Sequence, residues 1–146
     1  MRKTSPRMKL IKKTEDVIRE EYRIIYGDIC QICGKHTKQA GLFHILDKRR
    51  YPKIRLHKIN LLWVGWYCCH YPFHHDPYEA RDRIIPKIQE IRGVDFEDQL
   101  KALDKMQGRQ DMTYLELRYI QAQEELDNLK NQTIIGARTI RRKYAR

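Results

Sequence analysis

Four cysteines fall into two tight pairs, Cys30 and Cys33 in CQICGK and the adjacent Cys68 and Cys69 in YCCHYPFHHD; the second stretch, residues 67–76, also carries three of the six histidines. No other feature limits the fold as much. Two thiolates spaced CxxC bind one tetrahedral zinc from a single turn. A redox pair has the same spacing but needs a βαβ context, which these flanks do not offer. Cys68 and Cys69 lie 35 and 36 residues beyond Cys33, a workable length for a zinc-closed loop. Adjacent side chains on extended backbone point apart. One of the two is therefore expected as a ligand and the other as a small buried side chain. That leaves His70, His74, the other cysteine or His36 as the fourth ligand. A structural zinc would also staple a small core.

The start, MRKTSPRMKLIKK, has no apolar stretch behind it, and no apolar run approaches the roughly 20 residues of a membrane span. An intracellular, cytoplasmic protein without a membrane partner is expected, and in that compartment cysteines are ligands more often than disulfides. Residues 1–13 read as a flexible basic arm. Thr14 is a cap candidate for a helix with Val17, Ile18, Tyr22 and Ile25 on one face, ended by Gly27. LFHIL, residues 42–46, suits a strand. Pro52 holds Tyr51 extended or in a turn. INLLWVGWYCCH is apolar with no decisive period. Asp76 and Pro77 open a helix with Ala80, Ile84, Ile88 and Ile91 in a stripe, which Pro86 should bend and Gly93 should end. A second helix follows Asp95. A third follows Met112 with a short heptad seam, Leu115, Tyr119, Ala122, Leu126 and Leu129. That seam reads as packing within its own domain; the alternative is a homodimer through the C-terminal helix. The fold expected is α+β: a small zinc-stabilised core over residues 14–92 with flanking helices, a helical extension over 93–131 and a basic tail over 132–146.

Charge is segregated. Of a net +11, residues 95–127 contribute −5, so the remainder carries +16. The central run 48–58, KRRYPKIRLHK, holds six basic residues, Lys48, Arg49, Arg50, Lys53, Arg55 and Lys58, and no acid. It lies between the two cysteine segments. Such a surface suits a polyanion, with nucleic acid the leading partner.

A second series, His44, Asn60 and then His74 or His75, is interleaved with the cysteines. CxxC, a histidine in an apolar strand, a basic stretch, an asparagine and a cysteine-histidine knuckle together resemble the HNH, or ββα-metal, endonucleases. The nearest resemblance is to zinc-containing phage recombination and junction-processing nucleases. The residues that carry it are CQICG, FHI, YPKIRLHKIN and CCHYPFHH, within residues 30–75. The resemblance implies a ββα-metal finger with His44 as general base, Asn60 holding the finger backbone and the last histidine binding a catalytic Mg²⁺ or Mn²⁺. The candidate zinc ligands remain Cys30, Cys33, Cys68, Cys69 and His70, and the resemblance implies DNA, duplex or branched, in a phage-infected or prophage-carrying bacterium. The chemistry suits the residues: a neutral imidazole can take a proton from water, and a cation can stabilise charge on the phosphate. Two positions depart from the pattern. Gly65 or Trp66 stands where a second CxxC would begin, and Phe43 stands where an acidic metal ligand often precedes the histidine. Tyr51, Trp63 and Trp66 are candidates for stacking on a base, with core packing preferred for the tryptophans. A non-catalytic zinc module that binds nucleic acid is the alternative function, and an adaptor working through its acidic helices is a third.

Overall fold

Ser5 and Pro6 open the first helix. The Ser5 hydroxyl oxygen accepts from the Met8 amide at 3.2 Å, and Pro6 stands first in the helix, where its missing N–H is no loss. The computed structural model describes the backbone of residues 2–144 and the side chains of residues 2–133. The basic side chains of the expected tail from residue 134 onward lie outside the described residues. Helix α1 spans Pro6–Tyr26, which corrects the expectation of a flexible arm up to residue 13: Ser5, not Thr14, provides the cap. Thr14 is buried in mid-helix, and its hydroxyl donates back to the Leu10 carbonyl at 2.9 Å. Gly27, at φ +60°, ends the helix as expected, its N–H donating to the Arg23 carbonyl.

The chain divides into two compact units, residues 1–21 with 111–146, and residues 22–110. In the first, Ile11, Thr14 and Ile18 are buried on α1, and Leu115, Arg118 and Ala122 on α6, Met112–Tyr144. The Lys13 ammonium sits 5.2 Å from the centre of the Tyr119 ring. Helix α6 runs through position 131 without a break.

The second unit is built round a hairpin. Strands β1, Ala40–His44, and β2, Leu61–Gly65, pair antiparallel from Ala40 opposite Gly65 to His44 opposite Leu61. All five residues of β2 are buried, as an unbroken apolar run in a strand predicts. The CxxC knuckle lies along its other edge. Gln31 donates its amide to the Trp63 carbonyl at 2.7 Å, and its side-chain oxygen accepts from the Trp63 amide at 3.0 Å. Asn60 closes the loop between the strands. Fully buried, it accepts from the Leu46 amide at 2.8 Å and donates to the Leu46 carbonyl at 3.2 Å.

The stretch that had no decisive period resolves into β2, a π-helical turn Trp66–His70 and helix α2, Tyr71–His75. Asp76 then caps as expected, accepting from the amides of Tyr78 and Glu79 at the start of α3, Pro77–Glu79. A second π-helical turn, Ala80–Ile84, leads into α4, Ile85–Arg92. Pro86 has no N–H to give, and the wide turn before it accommodates the ring without breaking the helix. Gly93, at φ +109°, ends α4, and α5 follows at Phe96–Met106. Phe43, Ile54, Leu62, Val64, Ile84, Ile88 and Leu100 join Cys30 and Cys69 in one apolar core. The class is α+β with helices dominant. No helix among the described residues is long and apolar enough to cross a membrane.

Candidate metal centre

Two tight turns bring the cysteines together. The first is the knuckle: Gly34, at φ +72°, donates to the Cys30 carbonyl at 2.8 Å, and Cys30 donates to the Lys35 carbonyl at 2.9 Å. The second is the π-helical turn after β2. Together they place the sulfurs of Cys30, Cys33, Cys68 and Cys69 all within 4.8 Å of one another. This corrects the expectation that only one of the adjacent pair turns inward. That expectation assumed extended backbone, where neighbours diverge by half a turn; in a helical turn they diverge by much less, and both sulfurs reach one point. Gly65 is the other requirement. A Cβ there would lie 2.5 Å from the Cys68 sulfur and 2.9 Å from the Thr37 side chain.

The donor set fits a tetrahedral ion. With metal–sulfur bonds of about 2.3 Å, the sulfurs around zinc stand about 3.8 Å apart, so small side-chain rotations close the cage. Four thiolates suit zinc or iron, not magnesium or calcium. The thiols already divide their protons unequally. The hydrogen bond from Cys69 holds Cys30 down at about 4, whereas burial pushes Cys68 up to about 12. Cys69 is raised too, chiefly because its proton bridges to Cys30. Four clustered thiols that share their protons this unevenly favour a divalent cation in place of those protons.

Arg83 adds positive charge beside these sulfurs, a contact that sequence reasoning missed. Its guanidinium donates to the Cys69 sulfur at 3.4 Å and to the Cys68 carbonyl at 2.6 Å, and it pairs with Glu79. The Glu79 bond, first among the causes, raises its pKa and keeps it charged. Donors to ligand sulfurs orient them and temper their charge. A cavity of 410 Å³ lies beside the cluster, lined by Cys33, Lys35, Cys68, Arg83 and Lys87. Arg92 was equally unforeseen. It donates to the carbonyls of Ile59 at 2.9 Å and Leu61 at 3.0 Å, tying α4 to the backbone on either side of Asn60. The spacing Glu79–Arg83 was the one legible hint, a helical ion pair four residues apart.

His70, expected among the zinc ligands, is not part of the cysteine group. Its ring stands 5.1 Å from that of Phe43, 4.8 Å from Trp66 and 5.4 Å from His74. Burial, then the charges of His74 and Lys48, lower its pKa. His70 and His74 are four residues apart and so share a helix face. His75 points elsewhere, its ring stacked on Tyr71 at 4.1 Å. His36 pairs with Asp28 at 3.1 Å, and His57 accepts from the Ile59 amide. His44, at the end of β1, has its Nε2 at 3.1 Å from the Arg55 carbonyl. A carbonyl only accepts, so Nε2 carries the proton, and in the neutral ring Nδ1 holds the lone pair.

Of the basic run, Lys48, Arg49, Arg50 and Lys53 are exposed, whereas Arg55 and Lys58 are half-buried. Asp47 folds the first of them into a turn, accepting from the Arg49 amide at 2.9 Å through its side chain and from Arg50 and Tyr51 through its carbonyl. Trp63 is core, donating its indole N–H to the Gly27 carbonyl at 2.9 Å; Trp66 is exposed. No family profile matches this chain, and searches of curated proteins and of solved structures return no match.

Proposed function

We propose that this protein is a zinc-stabilised, metal-dependent DNA endonuclease built on a ββα-metal finger. The observation that carries the reading is the His44 hydrogen bond to the Arg55 carbonyl. It fixes the ring's orientation and tautomer, which is what a general base needs before it meets its water. Three further features support it. The hairpin β1–β2 leads into α2, the buried Asn60 clamps the loop ends, and the loop between them bears the basic turn at residues 48–50. In this reading His44 Nδ1 takes a proton from water as the water oxygen attacks phosphorus, and the basic turn holds flanking phosphates. Cys30, Cys33, Cys68 and Cys69 hold a structural zinc. His70 and His74 would hold a second divalent cation, which would stabilise charge on the phosphate. Two imidazoles without a carboxylate suit a transition ion and do not suit Mg²⁺, which requires oxygen ligands.

The test is nicking of supercoiled and branched DNA by the zinc-loaded protein with Mn²⁺, Co²⁺, Ni²⁺ or Mg²⁺ added. Cleavage by the wild type, reduced about 100-fold or more in His44→Ala, is expected. Equal cleavage by both proteins would remove His44 from the mechanism. A specific observation favours a second reading, a non-catalytic nucleic-acid-binding module: Phe43 is fully buried against His70 and His74, at the place where a carboxylate would complete the ligand set. Strand alternation also turns His44 to the face opposite Phe43. Salt-sensitive DNA binding with no cleavage of any substrate would decide for that module.

A further inference from the structure

The π-helical turn at Trp66–His70 also orders the rings on its outer side. Its closing bond runs from the Tyr71 amide to the Trp66 carbonyl, so residues five apart stand over one another. Trp66 and Tyr71 thereby come into line, ring centres 6.0 Å apart. The ordinary helical step of four then carries the line to His75, whose ring lies on Tyr71 at 4.1 Å with 26° between the planes. This row is not core. Trp66 is 40% exposed and Tyr71 48% exposed, and His75 is exposed as well, while Trp63 is buried in the same unit.

Exposed aromatic rings in a row mark a surface that something covers. The surroundings say what. The next ring inward, His70, lies 4.8 Å from Trp66 and 5.1 Å from Phe43, which stands five residues before Lys48 in the chain. Lys48 opens the exposed cationic turn Lys48, Arg49 and Arg50, in a chain of net charge +11. Flat apolar rings bordered by cations match a ligand with flat faces and a phosphate backbone. In an intact duplex those base faces are already covered by their neighbours.

We propose that Trp66, Tyr71 and His75 form a stacking platform for unpaired bases of single-stranded DNA, with Lys48, Arg49 and Arg50 meeting the adjoining phosphates. The proposal rests on the nucleic-acid reading above and deepens it by naming the substrate class: DNA with an unpaired segment, such as a flap or an open junction arm.

The experiment titrates the full-length, zinc-loaded protein at low salt with an oligo-dT strand and with a duplex of equal length, reading anisotropy. Oligo-dT should bind more tightly than duplex. Trp66→Ala and, independently, Tyr71→Ala should each weaken oligo-dT binding about 10-fold while leaving duplex binding unchanged. Trp66→Phe, which restores a stacking face, should recover most of the loss. Unchanged duplex affinity and zinc content show that a variant is folded. Wild-type oligo-dT affinity in both alanine variants would overturn the platform and leave DNA binding standing. Failure of the wild type to bind either DNA would overturn the nucleic-acid reading itself. A self-association that Trp66→Ala abolishes, with oligo-dT affinity unchanged, would assign the row to a contact between copies and likewise overturn the platform.

Discussion

The cysteine corner and the histidine cluster are neighbours in sequence but differ in completeness. At the first, four sulfurs from two turns converge within 4.8 Å, an arginine donates to one of them, and a glycine makes room for another. At the second, His70 and His74 share a face, yet the side chain that β1 presents to them is Phe43. One site has every donor an ion asks for, and the other has two imidazoles and a benzene ring. A stable fold should therefore depend on an ion at the first site far more than on one at the second.

The sharpest way to break this contrast is to take the metal away. Apparent binding free energies of structural zinc sites are about 10 kcal/mol or more. A strong chelator, or Cys69→Ser, should therefore abolish the cooperative thermal melt seen by circular dichroism. A chelated, metal-free protein that melts like the untreated one would dismiss the zinc. The same site sets a pH dependence. The raised pKa values of Cys68 and Cys69 keep their protons on at neutral pH, and an entering ion must displace them. Metal affinity should thus rise as pH rises across neutrality and fall as it drops, which a chelator competition titration would show.

Next in size is Asn60→Ala. It would strand the amide and carbonyl of Leu46 in a fully buried place and should destabilise by about 2–4 kcal/mol in urea denaturation. Stability equal to wild type would mean the loop closes without the clamp. A smaller effect would sharpen the contrast by removing it. Phe43→His supplies a third imidazole beside His70 and His74, and the variant should bind its second equivalent of Co²⁺ more tightly than wild type, visible in its absorption spectrum. A single equivalent in both proteins would show that the histidine cluster is not a metal site even when its gap is filled. Smallest is Arg83→Met. It keeps bulk but loses the donation to Cys69, and zinc affinity should fall about 10-fold.

Much of the framework was legible because local rules govern it. Gly27, Gly93 and Asp76 end or start helices for conformational reasons that need no tertiary context. The apolar stretch of residues 42–46 declared a strand, which forms two residues earlier at Ala40–His44, and the stripe of Ile84 and Ile88 declared a buried helix face. All four cysteines were legible as a group, and so was the meeting of the two segments; that both Cys68 and Cys69 turn inward was not. Adjacency of Cys68 and Cys69 was read on extended backbone, and nothing local announces a π-helical turn. His70 was drawn to the zinc by its neighbours in the chain, whereas packing on Phe43 turns it to the other side. Arg83 and Arg92 act through long side chains across large sequence separations, which periodicity does not register. The start of α1 was misplaced because a run of like charge resembled an unstructured arm, although Ser5 and Pro6 carried the cap.

The wide turn between β2 and α2 makes spacing itself a constraint. It holds one residue more per turn than an α-helix, and both the pairing of Cys68 with Cys69 and the phase of everything after it depend on that surplus. Removing a single residue between Trp66 and His70 would swing α2 by about 100° relative to β2. In this segment a deletion would be far more damaging than a conservative replacement, and related chains should keep its length more strictly than its lettering.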